Sequence, residues 1–238
     1  MRPETSSPRI VVLKSDRLYG ELICERIQNF WRKSAVEFFQ LGLDALSSIQ
    51  TQKPDLFVAG ARIDDMDGFE HLEPFIQTDL PILILTSRTD DRTIALMREI
   101  RYNGIYDGHA EGLGNLHTAV ERVLGHQSYV SPAFAPRLVK PKNIMLDALT
   151  SREQIVLSMI GDGSDNQEAG LRLCMSPQTV KTHRRAIMNK LGLHQKGELM
   201  TYAVQKGYVH ITPEKVYYPG FQRMIGSLSG SKGRAVCA

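Results

Sequence analysis

The chain has 238 residues and a formal net charge of +3, with 42% hydrophobic and 23% charged residues. That length accommodates two ordinary domains with their own cores, and the composition is typical of a globular protein. No apolar run reaches the roughly 18 residues that a membrane span requires. Residues 1–8 lack the apolar segment of a signal peptide. We therefore expect a cytoplasmic protein without a membrane partner.

Cysteine usage argues against a metal centre and against disulfides. Cys24, Cys174 and Cys237 follow no metal-ligand spacing, and their number is odd. This pattern favours a reducing compartment over a disulfide framework. We expect no metal and no cofactor.

The first half of the chain alternates short apolar runs with amphipathic segments. Each apolar run is typical of a buried strand, and the segment after it carries apolar residues at helical spacing. Five strands alternating with five helices predict a doubly wound α/β domain with a five-stranded parallel sheet. The predicted strands cover residues 10–13, 36–39, 56–58, 82–85 and 105–106.

Three motifs at the strand ends give this half a family resemblance. They are PDLFV at 54–58, MDGFE at 66–70 and LILTS at 83–87. The segment resembles the receiver domain of response regulators. In that family, acidic residues after the first strand bind Mg²⁺, and an Asp that ends the third strand is phosphorylated. A Thr or Ser ending the fourth strand and a Lys ending the fifth hold the phosphoryl group.

The sequence departs from the receiver pattern at the residues that carry its chemistry. Ser15 replaces one of the two expected carboxylates beside Asp16, and Gly60 stands at the acceptor position, six residues before Met66. Thr86 is retained. No lysine occurs between positions 53 and 140, so the clamp position falls to Gly108 or His109. The resemblance therefore implies a degenerate phosphorylation site, and we expect regulation that does not use aspartyl phosphate.

Two alternatives bear on this site. Asp64 and Asp65 lie four and five residues past Gly60, too far along the chain to replace the acceptor, so we interpret them with Asp67 as a polar loop. Alternatively, the space left at Gly60 binds an unidentified small-molecule or protein effector.

Proline spacing and composition divide the rest of the chain. Residues 129–146 contain Pro132, Pro136 and Pro141 and are predicted to be an interdomain linker after a first domain of residues 1–128. Residues 147–208 form the second domain. Residues 209–238 form a C-terminal extension that ends in a Gly- and Ser-rich segment and is expected to be partly disordered.

The second domain is predicted to be all-α, with four helices. Thr150 and Glu153 form a capping box at the start of the first helix. Residues 163–168 end that helix and begin the second. Ser176 and Pro177 are typical of the N-cap and first turn of a third helix, residues 177–190. A fourth helix covers residues 196–206.

The third helix combines an apolar face with a basic one. Successive residues about 100° apart place Val180, Ile187 and Leu191 on the inner face, whereas Thr182, Arg185 and Asn189 lie opposite, with Lys181 on the flank. On charge alone, such a helix is more often an ordinary solvated surface helix. The charge distribution favours nucleic acid, since residues 1–146 contain 17 basic against 19 acidic residues, residues 147–208 contain 8 against 6, and residues 209–238 contain 4 against 1.

Four motifs identify the second domain as similar to the helix-turn-helix domain of LuxR/NarL/FixJ-type regulators. They are LTSRE at 149–153, GSDNQE at 163–168, SPQTVKTH at 176–183 and KLG at 190–192. The resemblance implies a transcription regulator that binds double-stranded DNA as a homodimer on inverted half-sites, with residues 197–206 at the dimer contact. Together with the helical wheel, it implies base contacts by Lys181, Thr182 and Arg185. It further implies phosphate contacts or a register role for Asn166, Ser176, Thr179, His183 and Lys190.

Ala169 and Gly170 depart from this family, which usually has a bulky aliphatic residue followed by Ala. Smaller side chains beneath the third helix are expected to loosen its packing at a cost of about 1–3 kcal/mol.

Overall fold

The computed structural model describes residues 7–66, 69–75, 78–87, 90–138, 149–212, 216–219 and 221. The chain divides into two units. One comprises residues 1–88 and 97–139, and the other comprises residues 89–96 and 140–238. Each unit buries an apolar cluster of its own.

A six-stranded parallel sheet forms the centre of the first unit. Its strand order is β2-β1-β3-β4-β5-β6. The order reverses between β1 and β3, and the carboxyl ends of strands at such a switch point form the crevice where open α/β sheets bind ligands. The strands are β1 (Arg9–Leu13), β2 (Ala35–Phe39), β3 (Leu56–Gly60), β4 (Ile82–Thr86), β5 (Gly104–Asp107) and β6 (Tyr129–Val130).

The strand β6 is an addition to the five strands that the sequence predicts. Tyr129 pairs with Gly104 and Val130 with Ile105, in parallel. From the sequence we assigned both residues to the linker, because they directly precede its prolines and only their pairing with β5 defines a strand. The expected linker therefore begins with an edge strand and a short helix, α6 (Ala135–Leu138). Residues 139–148 lie outside the described part of the chain.

Helices connect the strands and cover both faces of the sheet, as a doubly wound fold requires. On one face, Ile23 and Ile27 of α1 pack in the same cluster as Val120 and Val123 of α5. After β3, where the pattern predicts a helix, the structure has a 3-10 helix at Glu70–Phe75 that contains Pro74. The other helices of this unit are α1 (Arg17–Phe30), α2 (Gly42–Thr51), α4 (Gly108–Glu111) and α5 (Leu116–Leu124). The helix α3 (Asp91–Met97) falls almost entirely in the second unit.

The second unit contains the four helices that the sequence predicts. The capping box of Thr150 and Glu153 is present at the start of the first, and a second one, formed by Asp165 and Glu168, begins the next. The helices are α7 (Ser151–Ile160), α8 (Asn166–Leu173), α9 (Pro177–Leu191) and α10 (Lys196–Gln205). No helix in the described part of the chain has the length and hydropathy to cross a membrane.

The C-terminal extension continues this unit beyond its last helix. A short antiparallel hairpin pairs β7 (His210–Ile211) with β8 (Val216–Tyr217). The next residue, Tyr218, donates its hydroxyl hydrogen to Asp162 Oδ2 at 2.7 Å. Arg172 donates to both that carboxylate oxygen and the Tyr218 hydroxyl, each at 2.9 Å. The first part of the extension is thus packed against the helices, while residues 222–238 lie outside the described residues.

Gly170 corrects the expected loosening beneath α9. A β-carbon on this residue would lie 2.7 Å from the carbonyl oxygen of Met175, in the turn between α8 and α9. The turn is close because Cys174 adopts the left-handed conformation at φ 50°, which lets Met175 N donate to Gly170 O at 2.9 Å. Gly170 therefore marks a close backbone approach, and the expectation that its small size loosens the packing there is wrong.

Gly170→Ala should destabilise the second unit. Forcing a methyl group against a backbone carbonyl costs about 1–3 kcal/mol, which outweighs the gain of up to about 1 kcal/mol from replacing a helical glycine by alanine. Thermal unfolding followed by circular dichroism measures the difference. Gly197→Ala in α10 is the matched control, since a β-carbon there meets no heavy atom within 4 Å. The control should melt at or above the parent's midpoint, and an equal rise in both variants would contradict the close approach.

Candidate nucleic-acid interface

The helix α9 is held at both ends by specific caps. Ser176 Oγ accepts a hydrogen bond from Thr179 N at 3.0 Å, and Pro177 occupies the first turn. At the other end, Gly192 has φ +67°, a conformation that favours glycine, and ends the helix. The caps place all the basic residues of the predicted recognition segment on one continuous helix.

Burial defines which side of α9 faces outward. Val180 and Ile187 are fully buried, whereas Lys181, Thr182 and Arg185 are exposed. The three residues that we expect to contact base edges thus share the solvent side of the helix. The Thr182 hydroxyl donates to the Gln178 carbonyl at 3.0 Å, which orients it along the helix.

The residues expected at phosphates fall into different environments. The hydroxyls of Ser176 and Thr179 are exposed and lie 2.7 Å apart. His183 is half-buried. Asn166, at the start of α8, is half-buried and accepts a hydrogen bond from Arg184 Nε at 2.9 Å. From the sequence we predicted no role for Arg184, because a helical wheel gives the direction of a side chain but not its contacts in the fold.

Lys190 has a partner inside the unit. Its ammonium lies 2.7 Å from Oε2 of Glu153, whose side chain is only 7% exposed. The same oxygen accepts hydrogen bonds from the backbone N and hydroxyl of Thr150, at 2.7 and 2.9 Å. Burial raises the pKa of Glu153, but Lys190 and Thr150 outweigh it and hold the pKa below the ordinary value of 4.5. This contact favours a structural role for Lys190 over the phosphate contact that we expected.

At the carboxyl ends of the strands, Gly60 ends β3 and is covered by a neighbouring side chain. A β-carbon on Gly60 would lie 3.1 Å from Lys14 Cδ. The Lys14 ammonium lies 5.6 Å from the centre of the Tyr19 ring. Burial lowers the pKa of Lys14, as does Arg62, while Asp16 and Asp64 raise it. The Lys14 side chain therefore borders the space that we expected at Gly60.

The carboxylates near this site are engaged in helix caps. Asp16 Oδ1 accepts from Tyr19 N at 2.8 Å and caps α1. Asp65 accepts from the backbone N of Gly42 and Leu43 at the start of α2, at 2.7 and 3.0 Å. These contacts support the interpretation of this segment as a polar loop, although Asp67 lies outside the described residues. Ser15 also has a structural contact, since its hydroxyl accepts from Asp64 N at 3.0 Å.

The end of β5 carries no lysine. Thr86 lies opposite Asp107 in the β4–β5 ladder, and Asp107 ends β5. Gly108 and His109, the residues that we expect at the clamp position, follow directly at the start of α4. Asp107 accepts from the backbone N of His109 and Ala110, at 3.0 and 3.2 Å. The Tyr19 hydroxyl lies directly over Gly108, where any side chain would clash.

These residues do not fit a bound Mg²⁺. That ion prefers several oxygen ligands in octahedral geometry, but Asp16 caps a helix and the Lys14 side chain lies against Gly60. His71 is fully buried near Gly60. Burial lowers the pKa of its imidazole to about 4, although the Gly60 carbonyl and Asp65 act to raise it. Among the described residues, no group of three or more His, Cys, Asp and Glu is arranged to hold a metal ion.

Comparison with known proteins connects both units to one group. Residues 147–203 match the family of bacterial regulatory proteins of the luxR type. YhcZ, an uncharacterized transcriptional regulatory protein of Bacillus subtilis, is 30% identical over 175 residues, covering 69% of this chain and 80% of that protein. The response regulator protein VraR of Staphylococcus saprophyticus is 29% identical over 177 residues, covering 71% and 82%.

The fold is also found among solved structures. RcsB from Salmonella enterica serovar Typhimurium, bound to the rprA promoter, superimposes with a TM-score of 0.57 at 15% identity. The match covers 82% of this chain and 98% of that chain. At that level of identity, the likeness establishes the shared fold of the two units.

Glu153→Gln should destabilise the second unit at neutral pH by about 1–3 kcal/mol, because a buried hydrogen-bonded charge pair loses one partner. The folded-state pKa of Glu153 is lowered, so its stabilisation is complete above the ordinary pKa of 4.5 and is lost as the pH falls through the lowered pKa. Thermal unfolding at pH 7 and pH 3 should show the gap between parent and variant closing at the lower pH. Glu21→Gln, which breaks an exposed pair with Arg17, is the control and should leave both midpoints unchanged. A constant gap would assign the effect to packing.

Proposed function

Because the chain belongs to the LuxR family of bacterial response regulators, we propose that it is a sequence-specific DNA-binding transcription regulator whose receiver works without aspartyl phosphorylation. The observation that carries the first part is the exposed basic side of α9, which has no acidic residue and stands opposite buried Val180 and Ile187. A helix with this arrangement fits the major groove, where arginine and lysine read base edges.

The base contacts of this proposal come from Lys181, Thr182 and Arg185. In the described part of the chain, Lys181 and Arg185 belong to no salt bridge, so neither charge must leave an internal partner to meet DNA. Ser176, Thr179, His183 and Asn166 flank this surface and set its register on the phosphates. A site of action in the cytoplasm, on the nucleoid, follows from the proposed function.

A homodimer supplies the second half of the recognition. One recognition helix reads too few base pairs for useful selectivity, and two-fold pairs of such helices read inverted half-sites about one helical turn apart. We place the dimer contact on α10, where Val204 is 40% exposed and Leu199 and Ala203 are buried in the unit's own core. The outward side of α10 thus remains available to a partner.

Independence from aspartyl phosphate is supported by the strand-end geometry. Gly60 has no nucleophile and lies against the Lys14 side chain, and no lysine stands at the end of β5. Phosphoryl transfer needs a nucleophile, a metal ion and positive charge around the transferred group. A small molecule at Gly60 would first have to displace the Lys14 side chain, which disfavours the alternative of an effector in an empty pocket.

Arg185→Ala should weaken binding to the preferred site by about 1–3 kcal/mol and reduce the preference over random DNA, since a base contact carries sequence information. Fluorescence anisotropy on specific and random duplexes measures both, after selection of the preferred sequence from a random library. Quantitative footprinting of the parent should show two protomers on inverted half-sites. Arg122→Ala on α5, which removes an exposed charge far along the chain, is the control. Unchanged specificity in Arg185→Ala would show that the recognition face is wrongly assigned.

Acetyl phosphate with Mg²⁺ should leave the mass, the oligomeric state and the DNA affinity of the parent unchanged. Gly60→Asp should also remain unphosphorylated, because the new carboxylate lies against Lys14 and the described residues form no Mg²⁺ site. Intact-protein mass spectrometry with and without hydroxylamine provides the measurement. Gly60→Asn separates the charge of the new side chain from its size. A hydroxylamine-labile phosphate on the parent would refute phosphorylation independence.

A further inference from the structure

Arg184 differs from the other basic residues of α9 in its direction. Its Nε donates to Asn166 Oδ1 at 2.9 Å, and one terminal nitrogen donates to the Ser164 carbonyl at 2.9 Å. Burial lowers the pKa of Arg184, against the opposing effects of Asp165 and Asp162, but a guanidinium stays protonated in proteins. The side chain therefore bridges α9 and the start of α8 as a permanent cation.

This bridge decides which way the Asn166 carboxamide faces. A guanidinium donates hydrogen bonds and accepts none, so Asn166 must present its oxygen to Arg184. The two hydrogens of Asn166 Nδ2 then point away from Arg184. Asn166 is half-buried, and we expect it to lie at the phosphates beside the recognition helix. With the opposite orientation, two donors would face each other and an acceptor would face the phosphate.

The loop before α8 is also fixed from its other side. Ser164 N donates to Asp162 Oδ1 at 2.8 Å, and Asp162 Oδ2 accepts from Tyr218 and Arg172. Burial raises the pKa of Asp162, but these hydrogen bonds outweigh it and lower the pKa below 3.8. Because Asp162 holds the loop independently, loss of Arg184 should release the Asn166 carboxamide while the loop stays in place.

We propose that Arg184 is a positioning residue for DNA binding, which orients Asn166 so that Nδ2 donates to a DNA phosphate. The inference rests on the proposed function. It distinguishes Arg184 from a residue that contacts DNA itself, and it assigns the recognition helix a second task, which is to align a donor on the helix before it.

The test is a double-mutant cycle of Asn166→Ala and Arg184→Met, read as DNA affinity over a range of salt concentrations. Each single variant should bind about three- to tenfold more weakly, the range for one hydrogen bond. The double variant should be no weaker than Asn166→Ala alone, because Arg184 acts through Asn166. The slope of log K against log salt should stay unchanged, since a neutral amide releases no counterion. A direct Arg184–phosphate contact would instead make the slope shallower by about 0.9 when removed.

Two further variants keep the test independent of folding. Arg184→Lys retains the charge but cannot reach Asn166 and Ser164 with one planar fork, so it should bind more like Arg184→Met than like the parent. Asn166→Asp still accepts from Arg184 but faces the phosphate with a negative charge, so it should bind more weakly than Asn166→Ala. If Arg184→Met melts well below the parent, these two variants carry the test.

Three results would overturn the inference: additive losses in the cycle, a shallower salt slope in the Arg184 variants, or full affinity in Asn166→Ala. A parent protein that binds no duplex at all would instead overturn the proposed function. Full recovery of affinity in Arg184→Lys would assign the effect to charge alone and would likewise contradict a positioning role.

Discussion

The rotation of α9 about its own axis is the constraint on which the proposed function depends. Val180 and Ile187 are both fully buried, and they stand seven residues apart on one face. Their burial leaves Lys181, Thr182 and Arg185 on the opposite side. If the buried positions were shifted by one residue along the sequence, the helix would turn by about 100°. The core of the second unit thus determines which side chains of α9 are exposed and, under the proposed function, which of them face DNA.

Polar contacts then hold α7 and α8 against α9. Glu153, in the capping box of α7, receives the ammonium of Lys190 near the end of α9. Arg184 joins the middle of α9 to the start of α8. Both contacts use basic residues that would otherwise be assigned to DNA by charge alone. Arg184 and Lys190 thus stabilise the unit, whereas Lys181 and Arg185 are the charges of α9 that we propose for DNA.

At the carboxyl ends of the strands, the charged residues are arranged differently from those of a phosphorylated receiver. At a phosphorylated receiver, a metal ion and a lysine surround an acidic acceptor. Here Lys14 extends from the end of β1 over Gly60, and Asp107 ends β5. A basic side chain therefore lies beside Gly60. Asp16 and Asp65 cap α1 and α2, so the carboxylates of these loops stabilise helices.

Much of the architecture was determined by the sequence itself. Apolar runs of two to four residues that alternate with amphipathic segments indicate buried strands. The Thr150 capping box, the Ser176 N-cap and the Gly192 helix end depend on local chemistry that needs no distant partner. The doubly wound fold, the four-helix unit and the exposed side of α9 follow from these signals. The placement of Gly60 at the acceptor position is likewise predicted from its spacing to Met66.

Tertiary structure alone decided what depends on residues far apart in the chain. Two-residue β6 exists through pairing with β5, Lys14 meets Gly60 across 46 positions of sequence, and Lys190 meets Glu153 across 37. Gly170 was expected to loosen the packing beneath α9, because the sequence gives the side-chain volume but not how closely the backbone of the turn approaches. Periodicity and capping depend on neighbours along the chain. A contact between residues that are far apart in sequence has no local signal at either residue, so the sequence does not predict it.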